Sequence, residues 1–71
     1  MAMVSNIIKY EQGELGTFEV VELFSTMIKS GMVWKLQGSY GRSAVTLIES
    51  GYLTEQGEIT DLAREELEND N

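Results

Sequence analysis

Residues 17–31, TFEVVELFSTMIKSG, decide the fold because they carry the clearest helical pattern in the chain. Apolar side chains recur every three to four residues and share one helical face: Val20, Val21, Phe24, Met27 and Ile28. Thr17 is a typical N-cap residue, and Gly31 is a typical residue to end a helix. Glu19 is favoured near the positive end of the helix dipole. We therefore predict an amphipathic helix that follows Thr17 and stops at Gly31.

The rest of the chain is divided into short elements by its glycines, since it contains no proline. Helical segments are predicted over residues 5–12, over one or two turns of residues 32–37, between Ser39 and Gly51, and over residues 61–68. Ser39 and Thr60 are the candidate N-caps of the last two helices. Residues 52–60 predict a minimal β-hairpin with Gly57 in its connection.

These elements predict a mainly α fold, a small bundle of four to five short helices. The order of helix, short strand, turn, short strand and helix after Arg42 is that of the end of a winged-helix domain. We expect residues 1–71 to form a single domain, with residues 69–71 frayed. The predicted core consists of Ile7, Val20, Phe24, Met27, Ile28, Leu36, Ala44, Leu47, Ile48, Leu53 and Leu62.

Covalent and metal stabilisation are not expected, because the chain has no cysteine and no histidine. Its carboxylates also lack the spacing of a calcium-binding loop, so we predict no metal and no cofactor. A domain of this size gains only about 3–5 kcal/mol from its own core. Self-association or a partner protein is therefore the expected source of further stability.

The charge of the chain is unevenly distributed. Twelve acidic and five basic residues give a net charge of −7, which opposes generic DNA binding because that requires cations for the phosphates. Residues 1–31 carry a net charge of −2 and residues 55–71 carry −6, whereas residues 32–54 carry +1. The middle of the chain is therefore the part that would attract an anion.

Catalysis is not predicted. Without histidine or cysteine the chain cannot form a Ser-His-Asp or Cys-His arrangement, and its C-terminal charge run is typical of a solvated helix face. We therefore predict that the protein is not an enzyme.

The N-terminus lacks the pattern of a signal peptide, and no stretch approaches membrane-spanning length. A cytosolic location without membrane contact is the corresponding expectation.

Residues 37–43, QGSYGRS, are the candidate ligand site. Two glycines bracket a predicted helix start, where free backbone N–H groups and the helix dipole favour an anion. Arg42 in the first turn opposes that dipole, which suggests a negative group nearby. We therefore hypothesise that a phosphate or carboxylate is bound here, with Trp34 or Tyr40 stacking on a ring. The candidate anion-binding residues are Lys35, Gly38, Ser39, Tyr40, Gly41, Arg42 and Ser43.

A purely structural interpretation of the same residues remains open. Gly38 and Gly41 then permit a tight turn and close packing, Tyr40 belongs to the core, and Arg42 pairs with a carboxylate. Met32 and Trp34 likewise have two interpretations. They either pack in the core or, when exposed, form a partner interface, because tryptophan is enriched among residues that dominate binding energy.

Four blocks of sequence carry a family resemblance: residues 7–15, IIKYEQGEL; residues 20–24, VVELF; residues 34–44, WKLQGSYGRSA; and residues 47–51, LIESG. With them the chain resembles a family of short, mostly uncharacterised bacteriophage proteins, over about residues 5–53. The resemblance implies a phage accessory protein in the host bacterial cytoplasm. It brings no activity, cofactor or catalytic residue.

Three functional hypotheses result. The first is a non-enzymatic phage accessory protein, expected to be a homo-oligomer, that binds a host protein for host takeover or anti-defence. The second is an oligomeric binder that sequesters a phosphate-bearing small ligand or signalling nucleotide at the helix start of residues 38–43. The third is a degenerate winged-helix protein or a DNA mimic.

Overall fold

Helix α2, Thr17–Ser30, lies at the centre of the fold. The computed structural model describes residues 2–36 and 38–67, and it describes side chains from residue 6 onward within those ranges. The other elements are α1 (Ala2–Glu11), a 3-10 turn (Met32–Trp34), α3 (Gly38–Glu49) and α4 (Asp61–Leu67), and each of them packs on α2. The prediction of a small, mainly helical bundle is confirmed. The predicted fraying of residues 69–71 concerns a part of the chain outside the described residues.

Helix α2 begins one residue earlier than predicted. Its N-cap is Gly16, because the Glu19 carboxylate reaches back and accepts a hydrogen bond from the Gly16 N–H at 2.8 Å. Thr17 is therefore the first helical residue, and its prediction as the cap was wrong. The predicted end is confirmed, since Gly31 adopts φ +78° and donates its N–H to the Ile28 carbonyl at 3.0 Å.

Three aromatic rings join α1, α2 and α3. Phe24 of α2 is fully buried and makes an edge contact with Tyr10 of α1, with ring centroids 5.4 Å apart. Tyr40 of α3 completes a triangle of rings, with its centroid 6.4 Å from that of Phe24 and 5.9 Å from that of Tyr10. Aromatic pairs at these separations add specificity of orientation to the burial of apolar area. The cluster therefore fixes how the three helices meet.

The predicted core is largely confirmed. Five predicted residues are buried: Phe24, Met27, Ile28, Ala44 and Leu53. Five more are partly buried against the core: Ile7, Val20, Leu36, Leu47 and Ile48. Leu62 was wrongly placed there, because Ala63 and Leu67 occupy the inward face of α4 and leave Leu62 39% exposed. Among the buried residues that the core prediction omitted are Phe18, Leu23, Val33 and Tyr40.

Helix α3 also starts earlier than predicted. It begins at Gly38, so Ser39 lies inside the first turn and its prediction as the N-cap was wrong. Gly38 is itself helical, and its φ angle is not positive. The predicted end at Gly51 is confirmed, because Gly51 adopts φ +88° and donates its N–H to the Ile48 carbonyl at 3.1 Å.

The predicted hairpin is present in minimal form, as one antiparallel bridge between Leu53 and Ile59. Gly57 at its turn has φ +92° and is buried against α2, where the Ser25 hydroxyl donates a hydrogen bond to the Gly57 carbonyl at 2.5 Å. Thr60 is the N-cap of α4, as predicted, since its hydroxyl oxygen accepts the Ala63 N–H at 3.2 Å. The hairpin therefore carries α4 back onto α2.

Within residues 2–36 and 38–67, none of the helices combines the length and the apolar character that crossing a membrane requires.

Candidate functional site

Helix α3 presents different chemistry on the two sides of its buried stripe. Tyr40 and Ala44 point into the core. Helical geometry then places residues 41, 45 and 48 on one flank and residues 42, 43 and 46 on the other. A groove runs along each flank, and both grooves contain residues that the sequence singled out.

The first groove is built around Trp34. The 3-10 turn buries Val33 and leaves the adjacent Trp34 side chain 55% exposed. The indole lies over Gly41, where an added Cβ would be 3.8 Å from two of the ring carbons. The groove has a volume of about 450 Å³ and is lined by Trp34, Val45, Ile48, Glu49 and Glu55. We call it the Trp34 groove.

The Trp34 groove combines an apolar surface with acidic groups. Val45 is 42% exposed and Ile48 is partly buried, so both continue the apolar surface of the indole. Among the described residues that line the groove, two are carboxylates and none is a cation. The groove can therefore accept an apolar side chain that has positive charge beside it.

The second groove is built around Arg42 and lies where α1, α2 and α3 meet. It has a volume of about 330 Å³ and is lined by Tyr10, Val20, Phe24, Arg42, Ser43, Thr46 and Leu47. Its apolar residues come from all three helices, whereas its polar residues all come from α3. The Thr46 hydroxyl donates a hydrogen bond to the Arg42 carbonyl at 3.0 Å. We call it the Arg42 groove.

Arg42 is exposed, and its charge is not neutralised within the part of the chain that the structure describes. An ion pair joins Lys29 and Glu58 at 3.6 Å, whereas none of the described carboxylates forms one with Arg42. The described residues therefore do not contain the carboxylate partner of Arg42 that the structural interpretation expected. As far as residues 2–36 and 38–67 are concerned, the guanidinium is available to an external anion.

The structure separates the seven candidate anion-binding residues. Only Arg42 and Ser43 line the Arg42 groove. Lys35, Gly38 and Ser39 are exposed but line neither groove, and Gly41 faces Trp34 instead. Because α3 begins at Gly38, Arg42 lies in its second turn and not in its first. The helix dipole therefore destabilises the Arg42 cation less than was expected from the sequence.

Tyr40 has a structural environment. Its ring is buried in the aromatic cluster, and its hydroxyl donates a hydrogen bond to the Glu11 carboxylate. This hydrogen bond, together with burial and the negative charge of Glu11, raises the pKa of Tyr40 to about 12. The position matches the alternative in which Tyr40 belongs to the core, and it leaves the ring no open face for a ligand.

The Tyr40 environment predicts a loss of stability in alkali. Between pH 10 and pH 12 the unfolded chain releases the Tyr40 proton while the folded chain keeps it, so stability falls as the pH rises. Relative to Tyr40→Phe, the wild-type free energy of unfolding should decrease with a slope approaching about 1.4 kcal/mol per pH unit. Urea titrations of both proteins across this range measure the difference. Parallel pH profiles would contradict the assignment.

The two predicted interface residues have different exposures. Trp34 lines a groove and is well exposed, whereas Met32 is only partly exposed and lines neither groove. The sequence interpretation did not assign Val45, Glu49, Glu55, Tyr10 or Thr46 to any site. Val45 carried a usable signal, because it is an apolar residue off the buried stripe of α3 and one turn after Gly41. Thr46 and Glu49 carried a similar signal, because they lie one helical turn after Arg42 and Val45 respectively. Tyr10 and Glu55 reach the grooves only through the tertiary fold.

Metal binding has no candidate in the described part of the chain, which contains no cluster of three or more carboxylates that could hold an ion.

The comparisons with known proteins give a family but no activity. The chain belongs to the family designated domain of unknown function DUF7417, whose profile matches residues 1–70. The comparisons with curated proteins and with solved structures gave no significant match.

Proposed function

We propose that this DUF7417 chain is a non-enzymatic accessory protein that binds another protein through the Trp34 groove. The observation that carries the proposal is the exposure of Trp34, the single tryptophan of the chain, at 55% of its surface. An indole left in water forgoes the stabilisation that burial would give, and a domain this small has little stability to spare. A bound partner that covers the ring would supply this missing stabilisation.

The surroundings of Trp34 support a binding role. Val45 and Ile48 lie on the same flank of α3 and extend the apolar surface beyond the indole. Glu49 and Glu55 border it with charge. An apolar centre with a polar rim is the usual anatomy of a protein interface, and tryptophan is among the residues that contribute most when buried there.

The partner that fits this groove is a segment with an apolar side chain flanked by lysine or arginine. The apolar side chain would pack on Trp34, and the cations would lie beside Glu49 and Glu55. The net charge of −7 would also accelerate the encounter with a basic partner. A second copy of this chain fits less well, because a two-fold contact would place two acidic patches against each other with no cation from the described groove lining between them.

The phage resemblance supplies the biological context of the proposal. In that context the partner is a host protein in the bacterial cytoplasm, and its occupation serves host takeover or anti-defence. Self-association was the other expected route to stability, and it is tested by the same variants.

Replacing Trp34 with alanine should remove most of the affinity for the partner. Loss of a central interface tryptophan costs about 2 kcal/mol or more, which corresponds to a Kd increase of about 30-fold. The experiment captures host proteins by crosslinking with three baits: wild type, Trp34→Ala and Ile8→Ala. Ile8 is a matched control because it is 51% exposed, lies on α1 and lines neither groove.

Each captured protein is then purified, and calorimetry measures its affinity for the three baits. The proposal expects partners that bind wild type and Ile8→Ala equally and Trp34→Ala about 30-fold more weakly. Equal affinity for Trp34→Ala would contradict it. Sedimentation of the free proteins tests the second copy as occupant, since a dimer that Trp34→Ala dissociates would assign the groove to self-association instead.

A further inference from the structure

We infer that the Arg42 groove binds a small molecule with an anionic head and an apolar ring. This inference rests on residues that do not line the Trp34 groove, so it does not depend on the proposed protein partner. It also changes the chemistry expected from the sequence. The anion is bound by a side chain beside an apolar surface, not by the backbone N–H groups of a helix start.

The dimensions of the groove suit a small ligand. Its volume of about 330 Å³ lies at the lower end of the range for ligand sites, about 300–1,000 Å³. Such sites are lined mainly by apolar side chains, with a few polar groups that orient the ligand. The Arg42 groove has this composition, and one aromatic ring with an anionic substituent is the size of ligand that it can accept.

The apolar part of the groove is built by three helices. Tyr10 of α1, Val20 of α2 and Leu47 of α3 are each partly exposed, so a ligand ring can reach them. Phe24 closes the floor beneath them and is itself fully buried. Contact with these side chains removes apolar surface of both partners from water, which is the source of affinity for the ring.

The polar part of the groove is confined to α3. Arg42 offers a planar set of N–H donors that matches the oxygens of a phosphate or carboxylate, and bidentate pairs of this kind are the strong ones. Ser43 adds a hydroxyl to the same wall. No carboxylate lies within ion-pair distance of the guanidinium among the described residues, so the bound anion need not displace an internal partner.

The overall charge makes the groove selective. A chain with a net charge of −7 repels anions at long range, so affinity must come from local contacts with Arg42 and from burial of the ring. An anion without a ring loses the second contribution, and a ring without an anion loses the first. Both parts of the ligand are therefore required.

The test titrates the labelled protein with phenyl phosphate and follows the backbone amide shifts by NMR. A ligand of this size should bind with a Kd on the order of 1 mM. The largest shifts are expected at Ser43, Thr46 and Leu47. Inorganic phosphate and benzyl alcohol each lack one part of the ligand and should bind at least about tenfold more weakly. Phenylacetate, in a parallel titration, distinguishes a carboxylate head from a phosphate head.

Two variants assign the head group. Arg42→Gln should weaken phenyl phosphate binding by about tenfold or more, because it removes the charge-assisted pair. Lys35→Gln removes the same charge from an exposed residue outside the groove, so its affinity should match that of wild type. The inference is overturned by equal binding of Arg42→Gln and wild type, by equal binding of inorganic phosphate, or by no shift at these residues with any aromatic anion.

Discussion

Replacing Gly57 with alanine is expected to lower the free energy of unfolding by about 2–5 kcal/mol. Two costs combine at this residue. Its φ of +92° lies where an L side chain is strained, at a cost of about 1–2 kcal/mol. An added Cβ would also approach the Ser25 carbonyl oxygen to 3.0 Å and the Ile28 Cβ to 3.2 Å. Backbone oxygen cannot move aside easily, so crowding adds about 1–3 kcal/mol.

The effect should extend beyond the turn. Gly57 is the point where the hairpin docks on α2, and its carbonyl accepts the buried hydrogen bond from the Ser25 hydroxyl. A shift of the turn would weaken that bond and the placement of α4 behind it. Since the whole domain is expected to be stable by only about 3–5 kcal/mol, a large share of Gly57→Ala molecules should be unfolded at 25 °C.

Gly13→Ala is the matched control, measured by urea unfolding followed by circular dichroism. Gly13 also has a positive φ, +74°, but an added Cβ there would meet nothing within 4 Å. This variant should lose only the backbone cost of about 1–2 kcal/mol. If both variants lose the same stability, the close docking of the hairpin on α2 is contradicted.

Phe24→Ala is expected to have the largest effect of any single core truncation in α2, about 3–5 kcal/mol. Phe24 is fully buried and contacts both Tyr10 and Tyr40, so alanine would leave a cavity between three helices. The rings around it belong to separate elements and cannot collapse into the space without moving their helices. The variant should therefore be unfolded or nearly so.

Phe24→Leu gives a measurable loss of stability even when the alanine variant does not fold. Leucine preserves most of the volume and loses the aromatic contacts, so it should cost about 1 kcal/mol. Urea unfolding of the leucine variant, together with the near-ultraviolet circular dichroism of the tyrosines, measures this loss. A folded Phe24→Ala with wild-type stability would contradict the role of the aromatic cluster.

The features predicted correctly from the sequence are those set by local contacts. The apolar face of α2, the stops at Gly31 and Gly51, and the Thr60 cap each depend on residues a few positions apart. The starts of α1, α2 and α3 were each placed one to three residues late. At the start of α2 the Glu19 carboxylate accepts the Gly16 N–H, which makes Gly16 the N-cap in place of Thr17. The spacing of the apolar residues does not reveal this contact.

The features that the sequence did not predict are produced by the tertiary fold. Tyr40 and Glu11 are 29 residues apart, and Ser25 and Gly57 are 32 apart, so no periodicity links them. The exposure of Trp34 was open for a similar reason. It follows the buried Val33 in a single 3-10 turn, and only the packing of that turn on α2 and α3 decides which of the two points outward.

The candidate sites show the same division. Residues 34–48 contribute side chains to both grooves, and the candidate residues that were predicted from the sequence come from the same part of the chain. It treated Trp34 and Arg42 as neighbours of one ligand, whereas α3 lies between them and gives each its own groove. Separate ligands for the two grooves are therefore the simplest proposal.

The most direct test of the proposed protein contact is the fluorescence of Trp34 during titration with a captured basic partner, because the chain has no other tryptophan. A tryptophan-free version of the partner, or its binding segment, makes the signal specific to this residue. Saturation should shift the emission to shorter wavelength and suppress quenching by acrylamide, and added salt should weaken the binding. A partner that saturates the chain by calorimetry while Trp34 emission and quenching stay as in the free protein would contradict the proposal.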